Sequence, residues 1–167
     1  DIDTMKGETR TPEFLKLNSA GQVPTAELDD GRTLAQSNAI IRYLARGSAL
    51  IPQDAYAAAK MDEWLFWEQY SHEPYIAVCR FQMVYLKKPA ADLDPEKVKR
   101  GHAALARMEQ HLSASRFLAG EAFSPADVAL LAYTRVAHEG GFDLAGYPSV
   151  RRWIGESEEA LGLPAAK

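Results

Sequence analysis

The chain has 167 residues, 47% hydrophobic and 25% charged, and 19 basic against 23 acidic side chains give it a net charge of −4. Such a chain buries roughly 70% of its unfolded surface, which argues against disorder and supports one ample core or two small ones. The charges are spread evenly, no apolar run nears the roughly 20 residues of a membrane span, Asp1-Ile2-Asp3 lacks the pattern of a signal peptide, and Cys79 has no disulfide partner; nucleic acid and membranes are therefore poor partners, and a reducing, cytoplasmic setting is expected.

The first fifty residues read as strand, helix, two strands and helix. Thr11-Pro12-Glu13-Phe14-Leu15 then places proline just inside a short helix, which stops at the breaker cluster Asn18 to Gly21. Val23 to Leu28 is a strand candidate, Asp30-Gly31 a two-residue hairpin signal, and Arg32-Thr33-Leu34 the returning strand. Ile40, Ile41 and Leu44 give Ser37 to Ala45 helical spacing, with Gly47 just past its end.

From Ala55 the texture changes. Ala55 to Lys88 has no glycine and one proline, Pro74, so it reads as one helix bent there or two in succession; Trp64, Phe66, Trp67, Tyr70, Tyr75, Phe81 and Tyr85 make it the aromatic centre of the chain, its tryptophans and tyrosines expected mostly in core and interdomain packing. Pro89 to Pro95 reads as a linker. Val98, Leu105, Met108 and Leu112 stripe an amphipathic helix over Glu96 to Leu112. Ser124-Pro125-Ala126-Asp127 is a helix start with a capping box, and Phe123 and Val128 are spaced as its hydrophobic staple; that helix is expected to run to about His138. Pro148 opens a last short helix through Trp153. The break at residues 48–55 divides a small mixed domain, 1–50, from an all-helical one, 51–167.

Gly21-Gln22-Val23-Pro24, followed by Gln36-Ser37 at a helix start, is the most informative constellation. A proline opening a strand cannot donate to the ladder, and a cis bond before it turns the preceding backbone toward a ligand that adds as an extended strand. Gln36-Ser37 offers an amide, a hydroxyl and the N–H groups of a helix N-terminus, a set suited to a carboxylate. One site would then hold both the backbone and the terminal carboxylate of a short peptide.

Thr11 to Pro24 and Leu34 to Leu44 resemble the glutathione-binding half of the glutathione transferase superfamily, and Phe117-Leu118-Ala119-Gly120-Glu121 running into Phe123 to Val128 resembles the core helix start of its helical domain. The resemblance implies an α/β plus all-α architecture: an incomplete thioredoxin-like domain, without its first strand and helix, followed by a helical bundle. It implies that the chain begins inside the domain's next strand at Asp1-Ile2-Asp3, that Val23, beside cis Pro24, pairs with the cysteinyl backbone of glutathione, that Gln36 and Ser37 hold the γ-glutamyl end, and that Arg10 and Gln22 serve the glycyl carboxylate. It further implies a homodimer conjugating glutathione, as co-substrate, to small hydrophobic electrophiles in a detoxifying role. Thiol activation by one hydrogen bond is the mechanism expected, from a residue upstream of Asp1, so the catalytic residue stays unassigned. Tyr75 and Arg80 are wall candidates for the electrophile. The alternatives are glutathione-dependent reduction, isomerisation or dehalogenation, or a non-catalytic binding protein of the same fold.

Among other residues, Cys79 sits with Ile76, Ala77, Val78 and Phe81 and reads as core. His72, His102, His111 and His138 show no zinc-ligand spacing, so no metal is expected. His72-Glu73 and His138-Glu139 are expected in exposed or capping roles.

Overall fold

The computed structural model describes residues 2–165 and separates into two compact units, 1–47 and 48–167. In the first, α1 (Pro12–Leu17) starts as its sequence directs: the Thr11 hydroxyl accepts the Phe14 N–H at 3.3 Å, and Pro12 occupies a position whose N–H would be unpaired. Phe14 is its buried anchor. β1 (Thr25–Glu27) and β2 (Thr33–Ala35) pair antiparallel, Thr25 opposite Ala35 and Glu27 opposite Thr33, and α2 (Ser37–Leu44) follows β2 after one residue.

Two expectations for this unit need correction. Asp1 lies outside the described residues, and Ile2 and Asp3 form no strand; the Asp3 carboxylate instead caps a 3-10 turn, Thr4–Lys6, accepting the Met5 N–H at 2.9 Å. A second 3-10 turn, Glu8–Arg10, leads into α1. The hairpin loop holds three residues rather than two, since the Leu28 N–H bonds the Arg32 carbonyl at 2.8 Å and the Gly31 N–H returns to the Leu28 carbonyl. Gly31 takes φ +79°, the left-handed residue that closes such a loop.

In the second unit α3 (Ala55–Trp67) and α4 (Glu73–Val84) are joined by a π-helical turn, Glu68–His72. The interruption therefore begins before Pro74, which sits in the first turn of α4, where a missing N–H costs nothing. A 3-10 turn, Ala90–Asp92, occupies the expected linker, and α5 (Pro95–Leu112) buries Leu105, Met108 and Leu112 along its stripe. α6 (Pro125–Thr134) stops four residues earlier than expected; a 3-10 turn over Ala137–Gly140 takes up the rest. α7 (Pro148–Leu161) is longer than expected. Ile76, Cys79, Leu105, Ala137 and Phe142 form one buried cluster.

The Asp127 carboxylate joins three segments. It accepts the N–H and hydroxyl of Ser124, the N–H of Leu118, and the indole N–H of Trp153, all at 2.8–2.9 Å. Glu109 does similar work for α7, accepting the Ser149 and Val150 N–H groups at 3.0 and 2.9 Å. Among the described residues no helix is long and apolar enough to cross a membrane.

Of the tryptophans and tyrosines expected mostly in packing, Trp64 is buried and Trp67 and Tyr75 are half-buried, while Tyr70 and Tyr85 are exposed within this unit, as are Phe66 and Phe81. Two positions along a helix turn a side chain by about 200°, so Trp64 and Phe66 face opposite ways.

Candidate functional site

The hairpin register assembles the site within the first unit. Because Thr25 pairs with Ala35, the residues just before β1 and just after β2 lie at the same end of the ladder: Val23 and Pro24 on one strand, Gln36 and Ser37 on the other. The Val23–Pro24 peptide bond is cis, and Val23 is 49% exposed. Opposite it, Gln36 has φ 71° and ψ 116°, a conformation that costs a non-glycine residue of order 1–3 kcal/mol. Both flanks hold it there, Ala35 in the ladder and Ser37 in α2, while its own carbonyl accepts the Ile40 N–H at 3.0 Å.

Gln36, not Ser37, occupies the cap position of α2, and it makes no side-chain cap bond. Ser37 is the first helical residue, half-buried, in the turn whose N–H groups a helix cannot pair with its own carbonyls. Those N–H groups and the positive end of the helix dipole favour an anion.

Arg10 and Gln22 come to the same loop. Arg10 donates from Nη1 to the Ala20 carbonyl at 3.2 Å, and its guanidinium lies against Gly21, in the space a side chain there would need. Gln22 is exposed, with its carbonyl directed inward to accept the Asn18 amide at 2.8 Å and the Thr25 hydroxyl at 3.1 Å. Asn18 is the residue that the sequence reading passed over as a breaker. Its Nδ2 also reaches Thr25 Oγ1 at 3.2 Å, and its Oδ1 accepts the Ala20 N–H at 3.1 Å, so one side chain braces residues 20 to 25. An asparagine bonding the backbone two residues on is a local turn signal, so this brace was open to detection.

The two wall candidates meet different partners. Tyr75 lies beside α5, where Arg100 Nη1 donates to its hydroxyl at 3.0 Å. Arg80 is paired with Glu139, Nε to Oε2 at 2.6 Å, and its guanidinium sits 5.8 Å from the Tyr85 ring centre.

His72 is fully buried, correcting the expectation of an exposed or capping role. Its Nε2 lies 2.9 Å from Thr134 Oγ1, whose own proton goes to the Leu130 carbonyl at 2.6 Å, so His72 donates from Nε2 and its Nδ1 has no partner. Burial lowers its pKa to about 3. His138 is exposed. Cys79 is buried, and burial pushes its thiol up, the behaviour of a core residue. Among the described residues no group of three or more histidine, cysteine or acidic side chains is placed to hold a metal ion.

A short sheet with flanking helices, carrying a cis-proline loop opposite a helix N-terminus and joined to an all-helical unit, defines a thioredoxin-like domain coupled to a helical one. The chain belongs to the glutathione S-transferase family: residues 1–46 match the family's N-terminal domain and residues 53–156 its C-terminal domain. It is 45% identical to a glutathione S-transferase from Pseudomonas fluorescens Pf-5, at a TM-score of 0.91 over 94% of this chain and 79% of that one. A possible glutathione S-transferase from Rhodopseudomonas palustris is 38% identical, with a TM-score of 0.92 over 98% of this chain and 81% of that one. A delta-class glutathione transferase from Nilaparvata lugens is 30% identical, with a TM-score of 0.83 over 98% of this chain and 75% of that one.

Proposed function

We propose that the ladder end of the first unit binds glutathione and presents its sulfur to small electrophiles. The observation that carries the reading is the pairing of Thr25 with Ala35, which sets the Val23 backbone beside Gln36 and Ser37. Glutathione would lie extended along Val23, its backbone N–H and C=O pairing there as an added strand. The γ-glutamyl carboxylate would accept from Ser37 and the first N–H groups of α2, with Gln36 oriented toward the same end. Arg10 and Gln22 would serve the rest of the tripeptide, on the loop that Asn18 braces.

The reaction proposed is conjugation. The glutathione thiol loses its proton to solvent or base, the thiolate forms a carbon–sulfur bond at the electrophilic carbon, and the leaving group departs with its bonding pair. No residue of this chain is assigned to activating the sulfur. Arg80, held by Glu139, is proposed to border the electrophile. A homodimer is part of the reading, and sedimentation velocity is expected to give twice the chain mass.

Titration calorimetry tests the core of the proposal. Glutathione should release or absorb heat and be displaced by S-hexylglutathione; no heat and no displacement would overturn it. Thioether formation from glutathione and an activated aryl halide, followed by absorbance, then separates an enzyme from a binding protein.

A further inference from the structure

α3 and α4 are each secured by apolar side chains: Met61, Trp64 and Leu65 are buried on the first, and Ile76, Ala77 and Cys79 on the second. The π-helical turn that joins them is secured differently. Glu68–His72 buries Glu68 and His72 and no apolar side chain, while its Tyr70 is turned to solvent. Burial by itself costs a polar side chain free energy, so such a turn stays closed through the bonds it makes.

Those bonds are of two kinds. Some travel with the turn: Glu68 Oε2 accepts from Nε2 of its neighbour Gln69 at 2.6 Å, and the Glu73 N–H returns five residues to the Glu68 carbonyl, the wide spacing of a π-helix. Pro74 has no N–H to add to them. The other kind crosses the fold. His72 Nε2 donates to Thr134 Oγ1 of α6 at 2.9 Å, and the second ring nitrogen, Nδ1, is buried without a partner. A segment with few buried apolar contacts opens at low cost, and this one lies between two helices that are well packed.

We propose that Glu68–His72 is a latched hinge: the turn opens as a unit while α3 and α4 stay folded, and the His72–Thr134 bond is its catch. Opening brings both buried polar side chains to water and frees the start of α4 to swing. Tyr75, three residues beyond the catch and bonded to Arg100 of α5 at 3.0 Å when the hinge is closed, rides on the segment that moves. The hinge lies wholly in the second unit and does not rest on the glutathione reading.

The test is native-state hydrogen exchange of the full chain, followed by NMR at neutral pH in urea below the unfolding midpoint. Local opening uncovers little surface, so the amides of residues 71–73 and 75–76 should exchange at rates nearly independent of urea. Those of Trp153 and Ile154, buried in α7, should speed steeply with it. Thr134→Val removes the hydroxyl while keeping the shape and should speed exchange at 71–76 by about tenfold without urea, the loss of one buried hydrogen bond. Thr134→Ser keeps the hydroxyl and should leave those amides near their original rates. A urea slope at 71–76 equal to that of Trp153 and Ile154 would overturn the proposal, because the turn would then open only with the whole unit. So would unchanged rates at 71–76 in Thr134→Val, the mark of a turn that opens without breaking the bond. The urea comparison is made on the unsubstituted chain, so it decides the proposal even where Thr134→Val fails to fold.

Discussion

Ser37 opens α2 with its hydroxyl in the first turn, and Gln36, which holds the cap position, makes no side-chain cap bond. Ser37→Ala is therefore expected to leave α2 intact and to weaken glutathione binding by about 1–2 kcal/mol, read by calorimetry; unchanged affinity would make Ser37 a plain first-turn residue. His72 gives a pH dependence of known sign. Its pKa is about 3 in the fold against 6.5 in its absence, so the unfolded chain binds the proton first. The stability that depends on neutral His72 is complete above pH 6.5 and is lost as pH falls from 6.5 toward 3. Urea midpoints measured across that range should fall less steeply in His72→Gln, which keeps a donor for Thr134 and has no charge to gain. Parallel slopes would show that His72 titrates alike in both states.

At the scale of elements, Asp127 holds the start of α6, the Leu118 loop and Trp153 of α7 together. Burial pushes its carboxyl up, and the four donors oppose that shift. Asp127→Ala strands buried N–H groups on three segments and is expected to cost about 3 kcal/mol or more, while Ser124→Ala should cost about 1 kcal/mol; thermal melts rank the two. Gly101 in α5 leaves the space taken by the Phe142 ring, and a Cβ there would overlap ring carbons. Gly101→Ala should lower stability by about 1–3 kcal/mol despite the better helix propensity of alanine, and Gly101→Ala with Phe142→Leu should recover part of it. The capping box at Ser124 and Asp127 and the Thr11-Pro12 start of α1 were legible in sequence, because each is decided within four residues. The end of α6 was not legible. Thr134 gives its hydroxyl proton to Leu130 in its own helix and its lone pair to His72, 62 residues away, and the chain then tightens into a 3-10 turn.

For the molecule as a whole, glutathione that binds only the folded chain must raise its stability by mass action, about 2.7 kcal/mol at a ligand concentration one hundred times its Kd. Scanning calorimetry with and without glutathione checks this, and an unmoved melt at saturation would contradict the binding proposal. The sequence by itself determined the two-part organisation, the helix starts, the hairpin and the family, because periodicity, caps and turn residues act over short spans. Only the tertiary structure decided which aromatic faces are covered, that His72 is buried and Arg80 tied to Glu139, and that Val23 and Gln36 share one end of a ladder. Those outcomes depend on strand register and on partners up to 62 residues away, and a π-helical turn between α3 and α4 shifts the phase from which facing would be counted.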